Sequence, residues 1–382
     1  MKLGITCQAG TGGSGILATE LGLALAARGH EVHFVTLEQP FRLAGFRENV
    51  YTHYVEDVTY PVFRVPPYTL SLASKISEVA EEHGIEIWHA HYAIPNAAAA
   101  LFARDMLPPE RRFCLVTTVH GTDITLVGGH PSFYRATRFA MENSCVVTAV
   151  SDWLSRETER EFALTVPVRT IHNFTDPERF KPKPAVNRDR LAAPGERIVM
   201  HVSNFRPVKR VTDVVRAFAR MLEEVDARLL LVGDGPERLS AVGVAKQLGV
   251  LDKITSLGNV ENIEDLLPAA DLVFQPSEHE SFGLVPLEAM ACGVPVLATA
   301  SGGVTEVVEH GVTGYLCGVG DIDAMVRHGV AILSDPALRA ALGARARERV
   351  LTRFPVDRIV GQYEALYAEV LERRRALGGA PH

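Results

Sequence analysis

The 382-residue sequence predicts an α/β fold in which two Rossmann-like, doubly wound domains of similar size face a cleft. Short apolar runs alternate with helical patterns in the first half, the alternation stops in a proline-rich stretch, and it then starts again. Consecutive parallel strands need a crossover between them, so this alternation is typical of parallel sheets that helices cover. Ligands of such folds bind outside the carboxyl ends of the strands, where we therefore expect the functional residues.

The first domain is predicted to comprise residues 1–172. A helix is predicted from Ile16 to Ala27, where Gly29 closes it. Apolar runs predict the following strands: Leu3–Cys7, Val32–Thr36, Ile85–His89, Leu115–Val119 and Val146–Val150. Residues 173–197 contain Pro177, Pro182, Pro184 and Pro194 among charged residues with little apolar periodicity, and they predict a linker.

The second domain is predicted to comprise residues 198–354. Its predicted strands are Ile198–Val202, Leu229–Val232, Ile254–Leu257, Leu272–Gln275 and Val294–Ala298. Residues 355–382 predict a terminal helix that packs back on the first domain, because Tyr363, Leu366, Tyr367 and Val370 form one apolar stripe.

Composition narrows the class of protein. A hydrophobic content of 47% with 22% charged residues is ordinary for a soluble globular protein, and the formal charge of −7 argues against general nucleic-acid binding. No segment approaches about 18 unbroken apolar residues, so we expect no membrane span. The five cysteines are scattered without C-x-x-C spacing, which argues against a disulfide framework or a zinc site. We therefore expect a cytoplasmic protein; the oligomeric state stays open, and a homodimer is one option.

The segment from Glu280 to Val296 places two carboxylates, Glu280 and Glu288, around a turn that opens a helix. The N–H groups of Phe282, Gly283 and Leu284 and the helix dipole favour an anion there. Eight helical steps would separate the two carboxylates by roughly 80°, so we expect Glu280 in the preceding loop and Glu288 one turn inside the helix. Such a turn suits an anionic, polyhydroxylated ligand, although the spacing alone also fits an ordinary helix start.

The segment Gly10–Gly15 follows the first strand and matches G-x-G-x-x-G, while Glu38 ends the next strand. This arrangement is typical of NAD-dependent oxidoreductases, in which the acidic residue binds the ribose. Any glycine-rich turn of this kind will also hold a diphosphate or a carboxylate, and a tight turn without a ligand is a further alternative.

Two more groups lie at predicted strand ends. Arg206, Lys209 and Arg210 follow the first strand of the second domain, where they can clamp a diphosphate or form a solvated basic loop. His120 opens His-Gly-Thr-Asp after the strand Leu115–Val119 and can donate to a ligand oxygen. His89 and His91 lack a third ligand with suitable spacing, so no metal site is predicted there.

Together these segments resemble the retaining glycosyltransferases of the GT-B type, which carry a Glu-x7-Glu signature. The signature here is Glu280 to Glu288, joined by the Arg206 and Lys209 loop and by Gly233-Asp-Gly-Pro236, and the resemblance covers almost the entire chain. It implies a UDP-sugar-dependent hexosyltransferase.

Further segments look like those of the family members that transfer N-acetylglucosamine from UDP-N-acetylglucosamine to the hydroxyl of L-malate, the first step of bacillithiol synthesis. These segments are Gly4–Cys7, Gly12–Glu20, Pro66–Lys75, His89–Pro95, His120–Thr125 and His201–Phe205. This chain has Gln8-Ala9 where such members usually carry an aromatic residue and proline, and Pro286 where they carry leucine.

The resemblance also implies roles for single residues. The residues expected to act in catalysis are His120, Glu280, Arg206 and Lys209. Those expected to bind the donor are Gly13, Asn204, Phe282, Gly283, Leu284 and Glu288, with Glu288 on the ribose hydroxyls. Those expected to bind L-malate are Ser14, Tyr92, Thr122 and Arg138. No cofactor and no metal is expected, because cationic side chains and helix amides would neutralise the departing phosphate. No carboxylate nucleophile is evident in the sequence, so a covalent route is not assumed. A front-face reaction is the route that the resemblance to the family implies.

Three alternatives stay open at the level of the sequence. One is a glycosyltransferase of the same family with another acceptor, and another is an NAD-dependent oxidoreductase that uses Gly10–Gly15. The third is a protein that senses a nucleotide sugar without turning it over.

Overall fold

The computed structural model describes residues 1–8, 10, 12–40, 42–43, 45–56, 66–183 and 188–376. The chain forms two compact units. Unit 1 consists of Met1–Asn173 together with Val356–His382, and unit 2 consists of Phe174–Pro355. The described part of the predicted linker 173–197 thus falls almost wholly in unit 2. Ala9, Thr11 and Pro184, which bear on the sequence predictions, lie outside the described residues.

Unit 1 is built on a seven-stranded parallel sheet with the order β3-β2-β1-β4-β5-β6-β7. Its strands are β1 (Lys2–Thr6), β2 (Glu31–Thr36), β3 (Val50–Tyr54), β4 (Ile87–His91), β5 (Cys114–Val119), β6 (Val146–Ala149) and β7 (Val168–Thr170). Its first helices are α1 (Gly13–Ala27), α2 (Tyr68–His83), α3 (Ala98–Met106), α4 (Thr122–Thr125), α5 (Pro131–Glu142) and α6 (Asp152–Phe162).

Unit 2 is built on a six-stranded parallel sheet with the order β10-β9-β8-β11-β12-β13. Its strands are β8 (Arg197–Val202), β9 (Ala227–Val232), β10 (Ile254–Gly258), β11 (Leu272–Gln275), β12 (Val296–Thr299) and β13 (Gly314–Cys317). Its helices are α7 (Arg188–Leu191), α8 (Val211–Met221), α9 (Arg238–Gln247), α10 (Ile263–Leu266), α11 (Leu284–Ala291), α12 (Val304–Val307), α13 (Ile322–Ser334) and α14 (Pro336–Arg353).

The terminal helix α15 (Val356–Ala376) belongs to unit 1 and covers one face of its sheet. Tyr363, Leu366, Tyr367 and Val370 are buried, as their spacing on one stripe suggests. The hydroxyl of Tyr367 lies 2.7 Å from Nδ1 of His89 in β4. On the opposite face, Trp88 packs with apolar residues of α2 and α3. Helices therefore cover both faces of this sheet.

The doubly wound α/β fold predicted from the sequence is confirmed, with one sheet in each unit. Three strands were missed, namely β3, β7 and β13. Each of them lies at the edge of its sheet. Edge strands are short or half exposed, so they lack the continuous apolar run that marks a central parallel strand. In β3, for example, no residue is fully buried, whereas every residue of β5 is.

No helix among the described residues combines the length and the apolar character that crossing a membrane requires.

Candidate functional site

Three strand ends of unit 1 lie side by side, because β1, β4 and β5 are neighbours in the sheet. The chain order reverses between β1 and β4, and ligands of doubly wound folds bind beside such a switch point. Helix α1 begins at Gly13 after β1, Tyr92 follows β4, and His120 follows β5. Four of the predicted functional residues, Gly13, Ser14, Tyr92 and His120, are thus carried by adjacent strand ends.

The backbone at two of these ends is unusual. Tyr92 has a φ of 85°, which is rare for a residue with a side chain, and Gly121 has a φ of 114°. Strained conformations of this kind concentrate at functional sites. At the third end, a Cβ atom on Gly15 would overlap the carbonyl oxygen of Gln8, so only glycine lets α1 start this close to the loop.

His120 is held in a neutral form. Its Nε2 lies 2.9 Å from Nδ1 of His91, and its ring stacks obliquely near Tyr92 with 5.4 Å between centroids. Burial lowers the pKa of His120 to about 3. Burial and the neighbouring His89 and His120 also hold the pKa of His91 well below its usual range. At neutral pH, His120 can therefore serve a ligand as a hydrogen-bonding group but not as a cation.

Asp123 positions the His120 loop, a role that was not predicted from the sequence. Its carboxylate accepts hydrogen bonds from the backbone N–H groups of His120 (3.0 Å), Gly121 (2.9 Å) and Ala93 (3.1 Å). One buried side chain thereby ties the end of β5 to the chain that follows β4. Burial raises the pKa of Asp123 to about 6, while the backbone hydrogen bonds oppose that shift. The sequence signal that could have indicated this role was an aspartate three residues after a histidine at a strand end.

The residues predicted for the acceptor do not all lie in the same surroundings. Ser14 is the second residue of α1, and Thr122 is the first residue of α4, beside His120. Arg138 lies in α5, where it donates to the carbonyl oxygen of Ala163 at 3.2 Å and pairs with Glu142 at 3.7 Å. The role of Arg138 in binding the acceptor stays a prediction.

In unit 2 the corresponding switch point lies between β8 and β11, which are neighbours in the sheet. The loop after β8 carries Arg206, which is exposed, and Lys209, which is partly buried. Lys209 Nζ lies 2.6 Å from Glu280 Oε2, and the hydroxyl of Ser277 donates to the same oxygen at 3.3 Å. The structure thus joins two of the predicted catalytic side chains in one ion pair.

The backbone around Glu280 is tightly fixed. Its carbonyl oxygen accepts the N–H of Gly303 at 2.7 Å, and a Cβ atom on Gly302 would overlap that carbonyl. The N–H of Glu278 donates to the carbonyl of Val208 at 2.8 Å, which links this loop to the one after β8. Backbone hydrogen bonds therefore hold the loops that carry Lys209 and Glu280.

Helix α11 begins directly after this loop. Gly283 precedes it with a φ of 101°, a left-handed conformation that favours glycine. The first N–H groups of a helix have no partner inside it, so they can face a ligand anion. Glu280 lies in the preceding loop and Glu288 is buried one turn inside α11, as the sequence predicted. The ring of Phe282 is buried edge-on against Phe354, with 5.7 Å between centroids.

Two further groups complete the loop after β8. Asn204 is exposed. A Cβ atom on Gly235 would overlap the carbonyl oxygen of Asn204, so the Gly233–Pro236 turn fits here only without side chains at its glycines. Arg210 pairs with Asp213 at 2.6 Å. Arg206 and Lys209 therefore remain the candidate cations for a diphosphate, with Lys209 paired to Glu280.

Comparison with known proteins finds glycosyltransferase matches in both halves of the chain. Residues 11–179 match the family model of Glycosyltransferase Family 4, and residues 183–349 match that of Glycosyl transferases group 1. The chain is also 47% identical to N-acetyl-alpha-D-glucosaminyl L-malate synthase of Bacillus anthracis, over 97% of this chain and 97% of that protein. The chain belongs to the glycosyltransferases.

Solved structures agree on the fold of this glycosyltransferase. Sucrose-phosphate synthase from Thermosynechococcus elongatus has a TM-score of 0.82 at 25% identity, covering 98% of this chain and 100% of that one. An Anabaena protein solved in complex with UDP and glucose has a TM-score of 0.80 at 22% identity, covering 97% and 100%. These structures show that the glycosyltransferase has the GT-B fold. Its family models and its 47% identical relative show that it depends on a sugar nucleotide. The alternative of an NAD-dependent oxidoreductase is not supported, and the Gly10–Gly15 motif belongs to the glycosyltransferase.

Proposed function

We propose that this glycosyltransferase transfers N-acetylglucosamine from UDP-N-acetylglucosamine to the hydroxyl of L-malate, with retention of the α configuration. The observation that carries the proposal is the 47% identity, over 97% of both chains, to a protein named N-acetyl-alpha-D-glucosaminyl L-malate synthase. The product would be the first intermediate of bacillithiol synthesis. A cytoplasmic location is part of the proposal, and the five free cysteines fit a reducing compartment.

The donor is assigned to unit 2. Glu288 would accept hydrogen bonds from the ribose hydroxyls, while Glu280 and the amides of Phe282, Gly283 and Leu284 would hold the sugar and the diphosphate. Asn204 would contribute from the loop after β8, and Gly13 of unit 1 would also approach the donor. These roles are supported by the ion pair at the start of α11 and by the glycine that precedes this helix.

The departing UDP gains negative charge as the glycosidic bond breaks. Arg206 and Lys209 would stabilise that charge electrostatically, together with the helix amides. These groups supply positive charge at the phosphate, so we propose that no metal and no cofactor is required for the transfer. The leaving phosphate would accept the proton of the malate hydroxyl in a front-face reaction.

The acceptor is assigned to unit 1. Arg138 would pair with a malate carboxylate, and Ser14, Tyr92 and Thr122 would hydrogen-bond the acceptor. His120, neutral because burial lowers its pKa, would contact the donor sugar near the reacting carbon. A neutral imidazole suits this place, since a cation beside a sugar that develops positive charge would oppose the reaction.

The direct test is to incubate the protein with UDP-N-acetylglucosamine and L-malate in a buffer that contains EDTA. We expect UDP and a glycosyl-malate by mass spectrometry, and an α-anomeric signal by NMR. Succinate is a matched control acceptor, because it has both carboxylates of malate but no hydroxyl to accept the sugar. We expect no transfer to succinate.

Other outcomes decide between the alternatives. Rapid transfer to another hydroxy acid with none to L-malate would replace the acceptor and leave the family assignment in place. Binding of the sugar nucleotide without turnover of any acceptor would favour a sensor. Activity that EDTA abolishes and added Mg²⁺ restores would contradict the metal-independent mechanism.

A further inference from the structure

Three histidines from separate elements of unit 1 meet on the side of the sheet that faces α2. His33 is the third residue of β2, His53 lies in the edge strand β3, and His83 is the last residue of α2. The sequence alone does not indicate this group, because the three histidines are far apart in the chain and no short motif contains two of them. None of the three belongs to the proposed donor or acceptor residues.

The rings are close enough to share one ion. One ring nitrogen from each histidine lies within 4.8 Å of the others. Nδ1 of His33 is 2.9 Å from Nε2 of His53, and the centroid of the His83 ring is 4.3 Å from that of His33 and 5.3 Å from that of His53. Tetrahedral zinc with bonds of about 2.0 to 2.1 Å separates its nitrogen ligands by about 3.3 Å, so small side-chain adjustments would suffice.

Nε2 of His33 has a carboxylate partner, as the second ring nitrogen of a metal-bound histidine often has. Nε2 of His33 lies 3.0 Å from Oε1 of Glu31, and Lys2 Nζ lies 3.3 Å from the same oxygen. A carboxylate in this position holds the proton on Nε2, which leaves the lone pair of Nδ1 directed at His53. That lone pair can accept a hydrogen bond from an N–H of His53. Alternatively, it can bind a cation that the two rings share.

The surroundings would keep the ligands in place and still admit an ion. His33 is buried and stacks on Tyr51 with 4.8 Å between ring centroids. His53 and His83 are partly exposed, so the group is reachable from solvent. Imidazole nitrogens suit zinc and the other late divalent transition metals rather than Mg²⁺ or Ca²⁺.

We propose that His33, His53 and His83 form a binding site for one divalent transition-metal ion, with zinc as the representative ion. The bound ion would join the edge strand β3 to β2 and to the end of α2. Its effect would be on the stability of unit 1, and the transfer reaction would not require it. Glu31 would orient His33 without contacting the ion.

The test uses the full-length protein after treatment with a chelator. Zinc is titrated against a chromophoric chelator that competes for it, and Co²⁺ is added in parallel as a spectroscopic probe. We expect one zinc per chain, an increase in the midpoint of thermal unfolding, and visible absorption of Co²⁺ that is typical of nitrogen ligands in low coordination. His53→Gln and His83→Gln should each weaken zinc binding at least tenfold.

The matched control is His130→Gln, which changes an exposed histidine at the start of α5. It should bind zinc like the unaltered protein. Glu31→Gln should weaken zinc binding about 10- to 100-fold, as loss of such a partner usually does. Circular dichroism checks that each variant is folded. Absence of zinc binding, or binding that neither His53→Gln nor His83→Gln weakens, would overturn the proposal and leave a group of hydrogen-bonded and stacked imidazoles.

Discussion

Lys209 and Glu280 are the residues whose pairing most changes the interpretation of the proposed donor site. They lie 71 positions apart in the chain, and their charged atoms are 2.6 Å apart. In this arrangement each charge neutralises the other. A donor diphosphate would compete for Lys209, and the carboxylate of Glu280 would then be available to the sugar hydroxyls. Glu280 would thereby exchange a cationic partner for neutral hydroxyl donors.

Glu280→Gln tests this role. We expect kcat/KM for the sugar nucleotide to fall by about 10²-fold or more, because the carboxylate would no longer hold the sugar in the transition state. The free energy of unfolding should change by no more than about 1 to 2 kcal/mol, since the ion pair is only partly buried. Steady-state kinetics and urea unfolding measure the two effects.

Glu278→Gln is the matched control, because it removes the same charge from an exposed side chain two positions away. It should leave both measurements close to those of the unaltered protein. If Glu280→Gln turned over normally, Glu280 would have no part in the site.

At the scale of single elements, α15 completes the core of unit 1 although it lies far from it in the chain. Tyr367 of α15 is fully buried, and its hydroxyl lies 2.7 Å from Nδ1 of His89. Nε2 of His89 is in turn 2.6 Å from the hydroxyl of Thr118 in β5. A polar chain therefore crosses from the terminal helix to two central strands, and all its members need their partners because they are buried.

Tyr367→Phe should lower the free energy of unfolding by about 1 to 2 kcal/mol, because His89 would lose a hydrogen-bond partner in the core. Urea unfolding measures the change. Tyr54→Phe is the control, since it removes a hydroxyl from an exposed tyrosine at the end of β3 and should have little effect. Equal stability of the two variants would show that the bond to His89 contributes nothing.

At the scale of the whole molecule, buried neutral histidines link stability to pH. Burial lowers the pKa of His89 and of His120 to about 3, holds that of His91 well below its usual range, and lowers that of His201 to about 4. In the unfolded chain these groups take up protons near pH 6.5. Their contribution to stability is therefore complete above pH 6.5 and is lost as the pH falls toward the folded values.

We expect the free energy of unfolding to be lower at pH 5 than at pH 7. A single histidine of this kind loses about 2 kcal/mol between pH 6.5 and pH 5. Asp123 acts in the opposite direction. Its pKa is raised from 3.8 to about 6, so its contribution is complete below 3.8 and is lost as the pH rises through 6. Four histidines outweigh one carboxyl group. Urea unfolding at constant ionic strength measures the difference, and equal or greater stability at pH 5 would contradict the expectation.

The proposed donor site could be outlined from the chain because its parts are local, and the roles of its residues stay predictions. Glu280, Gly283 and Glu288 fall within nine consecutive residues, and a helix start places them in a known order. Nine of the ten predicted strands are central in their sheets, where apolar runs mark them, and the tenth, β10, is an edge strand whose Ile254 and Leu257 gave enough signal. The edge strands β3, β7 and β13 escaped prediction because their pairing partners, rather than their own residues, make them strands.

By itself the sequence determined the two doubly wound domains, the strand ends that carry the candidate site residues and the family to which the chain belongs, because apolar periodicity and short motifs are properties of neighbouring residues. Only the tertiary structure decided which distant side chains meet. The pairs Lys209 with Glu280 and Tyr367 with His89, and the three histidines at the edge of unit 1, depend on the order of strands in each sheet. Strand order is set by packing over the whole unit, and no local pattern in the chain records it.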